Sequence, residues 1–198
     1  MEDIIEHYDS LIDEDNDPAR DPKSLQEHMD KWDGEAFIDA LQLTPDKTVL
    51  EIGVGTGRLA LRVCGKCKEF VGVDISPKTI KRAKENLQNY KNVQLICGDF
   101  MNLDSNLKFD VIYSSLTFLH VKDKASAVRK VAAMLKTGGL FVVSIEKSKK
   151  TTLEYGSRVL EIYPISLQDL TAILTKAGLE IESRFETEYA IIFAAVKY

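Results

Sequence analysis

Long apolar runs are missing from this 198-residue chain. No stretch approaches the roughly 20 consecutive apolar residues that a membrane-crossing helix needs, which argues against a transmembrane span. Cysteine is scarce: Cys64, Cys67 and Cys97 make an odd, low count, the pattern of reduced thiols rather than a disulfide framework. Cys64-Gly-Lys-Cys67 has the C-x-x-C spelling, but no second such pair or His pair supplies the other half of a zinc site. Redox pairs of that spelling open a helix, where the dipole acidifies the thiol, whereas this one closes a helix. It therefore reads as small apolar residues at a helix–strand junction.

An excess of positive charge is also lacking. The net charge is −5 and the pI about 5.3, which argues against a nucleic-acid partner. The local clusters Lys78, Lys81, Arg82, Lys84 and Lys147, Lys149, Lys150 read as solvated faces. Histidine is limited to His7, His28 and His120, with no ligand-spaced cluster, so no metal site is expected. The acidic start, Met1-Glu2-Asp3-Ile4-Ile5-Glu6, differs from a secretory signal or an Arg-rich transit peptide, and a cytoplasmic location is the expectation. Internal repeats and low-complexity tracts are absent, and nothing in the chain sets an oligomeric state.

What is present suits one globular domain: 44% hydrophobic and 29% charged residues over 198 positions. Residues 1–45 read as an N-terminal arm. Its acidic stretch Asp13 to Pro18 promises no regular structure unaided. From Leu25 to Leu43 apolar residues recur at helical spacing, interrupted at Gly34 and stopped at Pro45. Residues 46–198 read as the domain proper.

There short apolar runs alternate with amphipathic segments. Strands are predicted at Val49–Ile52, Phe70–Val73, Val93–Cys97, Val111–Ser114 and Leu140–Ile145. Helices are predicted from Arg58, at Pro77–Tyr90, Asp123–Leu135 and Ser166–Ala177. Such alternation implies a doubly wound α/β sheet, mostly parallel, with right-handed crossovers and helices on both faces. The last two β-rich runs, Leu179–Glu186 and Tyr189–Tyr198, are joined by too short a link for a crossover, so they predict a C-terminal antiparallel hairpin.

Glu51-Ile-Gly53-Val-Gly55-Thr-Gly57 follows a predicted strand and opens a predicted helix, and Asp74 ends the next strand. Glycines there let the backbone turn sharply and a ligand approach closely, and a carboxylate roughly 20 residues on is the expected partner of ribose hydroxyls. Asp74 capping the next helix is the alternative, but Ser76 before Pro77 already fits that task.

The segments VLEIGVGTGRLA, VGVDIS, ICGDF, FDVIYSSLTFLHV and LKTGGLFVV, in that order, resemble the class I S-adenosylmethionine-dependent methyltransferases. The resemblance covers about residues 45–198, and it implies a seven-stranded sheet and S-adenosylmethionine as cofactor. It further implies that Gly53, Gly55 and Gly57 lie beneath the methionine and ribose portion, with Glu51 near the amino end. Asp74 would take the ribose hydroxyls and Ile75 would pack on the adenine. Asp99 would accept from the adenine amine beside Phe100, and Ser114 would offer a carbonyl to the ammonium group. For Asp99 the alternative is a turn residue after Gly98; for Ser114 it is a small strand-ending residue. Tyr8, in HYDS, resembles the gate tyrosine of some small-molecule methyltransferases.

His120, just after the fourth strand, matches a histidine of many relatives and is the candidate general base or substrate-orienting residue. The alternative is a histidine that packs its loop. Segment 146–166, with Tyr155, Arg158, Glu161 and Tyr163, would close a lid together with Tyr8, while Trp32 would cover the mouth or pack the arm down. Relatives that methylate exocyclic base amines carry Asn-Pro-Pro-Tyr or Asp-Pro-Pro-Tyr where this chain has Ser-Ser-Leu-Thr. It also lacks the Pro-Cys pair of a cytosine-C5 nucleophile and the carboxylate set of a catechol-type magnesium site. The implied activity is methyl transfer to O or N of a small-molecule acceptor. Two alternatives remain at this point, a non-catalytic S-adenosylmethionine-binding module and an NAD-dependent oxidoreductase.

Overall fold

Side chains alternate between the two faces of a strand, and the run Val49-Leu50-Glu51-Ile52 uses both. Leu50 and Ile52 enter one apolar layer with Ile112, Phe141 and Phe193, while Val49 enters another with Phe37, Val63 and Tyr113. A strand buried on both faces belongs at the centre of a sheet covered on both sides. In the computed structural model, which describes residues 2–198, that is its place. Strands β1 (Thr48–Ile52), β2 (Glu69–Asp74), β3 (Val93–Cys97), β4 (Phe109–Ser114) and β5 (Leu135–Glu146) run parallel. Between β5 and β8 (Leu179–Glu186) lies β9 (Ala190–Lys197), antiparallel to both. The seven-stranded order is β3-β2-β1-β4-β5-β9-β8, the expected doubly wound sheet with its closing hairpin; β6 (Thr152–Tyr155) and β7 (Arg158–Glu161) stand outside it. The direction of winding reverses between β1 and β4, and ligands of such folds bind at the carboxyl ends of the strands there.

The helices are α1 (Glu2–Asp13), α2 (Lys23–Met29), α3 (Gly34–Ala40), α4 (Ala60–Val63), α5 (Pro77–Asn86), α6 (Lys124–Met134) and α7 (Leu167–Lys176). Side-chain caps start four of them: Asp33 accepts from Gly34 N, Ser76 from Thr79 N, Asp123 from Ser126 N and Ser166 from Asp169 N. Gly34 breaks the predicted arm helix into α2 and α3. Two features exceed the sequence expectation. Residues 2–13 form a continuous helix, held from outside by α5, as described below. The segment after β5 forms its own hairpin, β6 (Thr152–Tyr155) with β7 (Arg158–Glu161), turning at Gly156 with φ +61°. No helix among the described residues is long and apolar enough to cross a membrane.

Cys64 and Cys67 lie buried where α4 runs out before β2. Burial pushes the Cys64 thiol well up and the Cys67 thiol to about 11, so both are poor nucleophiles.

Candidate active site at the carboxyl edge of the sheet

The chain leaves β1 through a bend in which Gly53, Gly55 and Gly57 all have positive φ, +77°, +56° and +97°. The three have different neighbours. A Cβ on Gly53 would fall 1.9 Å from Thr117 Oγ1, whereas a Cβ on Gly55 would meet nothing within 4 Å. The bend is thus packed from below at Gly53 and open at Gly55. Gly57 lies against the Leu87 side chain.

Asp74, ending the neighbouring strand β2, is tied into this bend. Its Oδ2 accepts from Gly55 N at 3.0 Å and its Oδ1 from Ser76 N at 3.0 Å. Each oxygen keeps a further lone pair. Burial raises the carboxyl's affinity for its proton, and the backbone N–H groups oppose that shift. Ile75 follows, half-buried. Asp99 caps the short turn Phe100–Asn102 by accepting from Met101 N at 2.8 Å, and Phe100 is buried beside it.

Glu51 lies beneath the bend, 3% exposed, accepting from Tyr113 Oη at 2.8 Å. Burial pushes its carboxyl up to about 8, with Tyr113 and Arg58 pulling the other way, so the protonated acid prevails at neutral pH. Ser114 is fully buried and its hydroxyl donates to Ile52 O at 3.0 Å. Just beyond it Leu116 holds φ +56°, an uncommon conformation for a branched side chain, where the chain turns from β4 into the site.

The arm crosses this edge. Tyr8 on α1 places its Oη 2.7 Å from His120 Nε2. Asp9 Oδ1 accepts from Ser76 Oγ and from Lys78 N at the start of α5. Asp17, 5% exposed, receives Asn86 Nδ2 and Arg82 Nη1, and Asn86 Nδ2 also reaches Thr56 O in the glycine bend. The far side of α1 meets the β6–β7 hairpin, where Glu14 pairs with Arg158 at 2.7 Å and Asn16 bonds Tyr155 Oη. Four rings run edge to face from His120 through Tyr8 and His7 to Tyr155, with centroids 5.1–5.7 Å apart.

Within that row Nδ1 of His120 and Nδ1 of His7 are buried without a hydrogen-bond partner among the described residues. Burial lowers both imidazoles, His120 to about 4, so both are neutral at pH 7. The same burial, with Asp74 and Glu146 nearby, raises the Tyr8 phenol well above its usual range, so it stays protonated. Trp32 packs on Tyr189 at 4.6 Å between centroids and so holds the arm down.

The sequence reading weighed His7 only as a metal ligand, and it passed over the buried pair Asp33–Arg58 and Lys124. Arg58 directly follows the glycine run, which is a local hint. Nothing local marks its partner 25 residues earlier.

Comparison with known proteins points to one family. A family model described as a methyltransferase domain matches residues 43–178. The chain is 30% identical over 136 residues to malonyl-[acyl-carrier protein] O-methyltransferase 2 of Ilyobacter polytropus, covering 64% of this chain and 52% of that protein. It is 26% identical over 200 residues to an uncharacterized methyltransferase of Staphylococcus carnosus, covering 92% of this chain and 90% of that one. The fold superposes on the crystal structure of a SAM-dependent methyltransferase from Aquifex aeolicus with a TM-score of 0.72 and 18% identity, over 96% of this chain and 98% of that one. Against three curated relatives the chain spans only 38–52% of their own length.

Proposed function

From the chain's membership of the class I S-adenosylmethionine-dependent methyltransferases, we propose that it moves a methyl group to an oxygen or nitrogen atom of a small-molecule acceptor beneath the arm. The observation that carries this reading is the Tyr8 Oη–His120 Nε2 contact at 2.7 Å, which draws the arm across the edge where Gly55 and Asp74 stand.

The residues present fit the cofactor. The open space above Gly55 leaves room for a ligand against the backbone, and Asp74, fixed by two N–H groups, keeps lone pairs for two ribose hydroxyls. Gly53 and Gly57 shape the bend. Ile75, Asp99 and Phe100 form the adenine end, and the Ser114 carbonyl serves the ammonium group. Glu51, bonded to Tyr113, acts from beneath the bend rather than by direct contact. When bound, S-adenosylmethionine supplies a methyl group on a sulfonium that needs no further activation.

The chain's own contribution is to exclude water and to orient the acceptor lone pair, which can lower a barrier by on the order of 7 kcal/mol or more. Tyr8 belongs to both tasks, as a lid residue and as a wall of the cofactor site. His120 orients. If Tyr8 O–H donates to Nε2, the neutral ring carries its proton on Nδ1 and offers that N–H to the acceptor. An imidazole lowered to about 4 is poorly matched to general-base work at pH 7. Proton removal by His120 is therefore secondary, for acceptors that are themselves acidic. Residues 1–45 serve as the arm and 46–198 as the catalytic domain of a cytoplasmic enzyme.

Calorimetry with S-adenosylmethionine and S-adenosylhomocysteine, followed by mass spectrometry of product from a panel of small phenols, carboxylates and amines, tests the proposal. Saturable heat and S-adenosylhomocysteine formed with at least one acceptor are expected. Heat without product from any acceptor would favour a binding module instead, and no heat at all would sink both.

A further inference from the structure

Lys124 opens α6, a position that ordinarily faces water, yet it is only 6% exposed. Its Nζ donates to the carbonyls of Val121, at 2.7 Å, and of Tyr163. An ammonium group has three hydrogens, and the third finds no acceptor among the described residues. Carbonyl dipoles solvate a charge but do not neutralise it, and a buried cation without a counter-ion is costly.

The other buried charged groups among the described residues are compensated. Asp33 pairs with Arg58, Asp17 with Arg82, and Glu51 holds its proton beside Tyr113. Lys124 has two carbonyls and the Tyr163 ring, 6.0 Å from its Nζ, around it; burial lowers its ammonium to about 8, and no carboxylate pairs with it among the described residues.

Lys124 lines a cleft between the turn after β4, the end of β5 and the linker from β7 to α7. Thr117 and Leu119 form one wall, Ile145 and Pro164 the other. Thr117 is the residue packed under Gly53, and Leu119 immediately precedes His120. The bond from Tyr163 N to Leu119 O, at 2.7 Å, fixes the linker against the same turn. The cleft therefore adjoins the edge where the acceptor is oriented.

Its lining is weighted toward positive charge. Lys150 also lines it and Lys122 stands 5.6 Å from the Tyr163 ring. The one acid of the lining, Glu146, is pushed by burial toward its neutral form.

We infer that Lys124 is the anchor for an anionic group of the methyl acceptor, a carboxylate or a phosphate, seated in this cleft within reach of its third N–H. The inference rests on the methyltransferase reading for the word acceptor; the oxyanion site itself stands on Lys124.

The test uses the full chain labelled with ¹⁵N at constant ionic strength, titrated separately with acetate, inorganic phosphate and the neutral isostere acetamide. The amides of Leu119, Ile145 and Ile165 are followed. At least one oxyanion is expected to shift them saturably and acetamide to bind roughly tenfold more weakly, the scale of one charge-assisted hydrogen bond. Response to acetate alone assigns a carboxylate, and response to phosphate alone a phosphate monoester. Lys124→Met should lose the shifts and Lys124→Arg should retain them, while heat of S-adenosylhomocysteine binding stays within about threefold in affinity, since neither substitution touches the glycine bend. A clamp that is merely structural would not distinguish acetate from acetamide in the unaltered protein. Equal response to the two, no saturable response to either oxyanion, or full response in a folded Lys124→Met overturns the assignment. Absent S-adenosylhomocysteine heat would overturn the methyltransferase reading alone.

Discussion

The carboxylate of Asp33, wholly buried, receives both terminal nitrogens of Arg58, Nη1 on Oδ1 at 2.9 Å and Nη2 on Oδ2 at 2.5 Å. The same carboxylate accepts from Gly34 N and from Ser115 Oγ, and Ser115 is joined in turn by Ser144. One ion pair thus ties the arm, the residue after the glycine bend and the ends of β4 and β5 into a single network.

Removing one partner leaves the other charge without its main counter-ion in a largely buried site, Arg58 keeping only Asp30 at 3.8 Å, which costs about 3–5 kcal/mol. Asp33→Asn and Arg58→Met should each lower stability by that order in urea denaturation. The double substitution should cost clearly less than the two losses added, because the stranded charge is gone. Additive losses, or a single loss below about 1 kcal/mol, would contradict a structural role for the pair.

If the glycine bend holds the cofactor as proposed, its glycines should separate folding from binding. At Gly53 both the positive φ and Thr117 Oγ1 oppose a side chain, whereas at Gly55 only φ does. Gly53→Ala should destabilise by several kcal/mol through overpacking in addition to backbone strain. Gly55→Ala should cost only about 1–2 kcal/mol while weakening S-adenosylhomocysteine more than tenfold, because its methyl group enters the crevice. Melting curves beside calorimetry decide this. Equal thermal losses with unchanged affinity for Gly55→Ala would place the cofactor elsewhere.

Tyr8→Phe removes the hydroxyl that meets His120 Nε2 and leaves that nitrogen bare in a buried site. Once an acceptor is in hand, Tyr8→Phe and His120→Asn should each lower kcat roughly 10–100-fold with cofactor affinity nearly unchanged, the range of a lost orienting hydrogen bond. Near-normal turnover by His120→Asn would end any part for this ring in the reaction.

The acid side of the pH dependence follows from the depressed imidazole. In the folded chain His120 binds its proton only near pH 4, while unfolded histidine does so near 6.5. Between those values the unfolded state holds more protons, so this residue's contribution to stability is complete above about pH 6.5 and is lost as pH falls toward 4. The ring resonances of His120 should stay in their neutral positions at pH 6, and kcat/KM should show no inflection near 6.5 from this group. An NMR titration midpoint near 6.5 would show that the ring is solvated.

Glu51 has the opposite sign. Its carboxyl is raised to about 8 in the fold and titrates near 4.3 when unfolded. The unfolded state then holds fewer protons between those values. The stability associated with the protonated acid is complete below about pH 4.3 and is lost as pH rises through 8. Glu51→Gln keeps an acceptor for Tyr113 and removes the titration. It should be close to neutral at pH 5 and more stable than the native chain at pH 8.5. A variant equally destabilised at both pH values would mean that Glu51 is ionised in place.

Local chemistry determined much of this protein from its sequence. The two-residue period of Val49–Ile52, the Ser76–Pro77 helix start and the glycine run before Asp74 each depend on neighbours a few positions away. From them the parallel sheet and the closing hairpin could be read directly, and the candidate site edge could be located. Tertiary packing decided the rest. Residues 2–13 become a tethered helix because Asp9 and Asp13 find Ser76 and Lys78 on α5, contacts spanning more than 60 residues. The meeting of Tyr8 with His120 and of Asp33 with Arg58, and the stranding of Lys124 without a counter-ion, have the same origin. Burial and charge balance belong to the folded surroundings of a side chain, and those are set by segments far away in the chain.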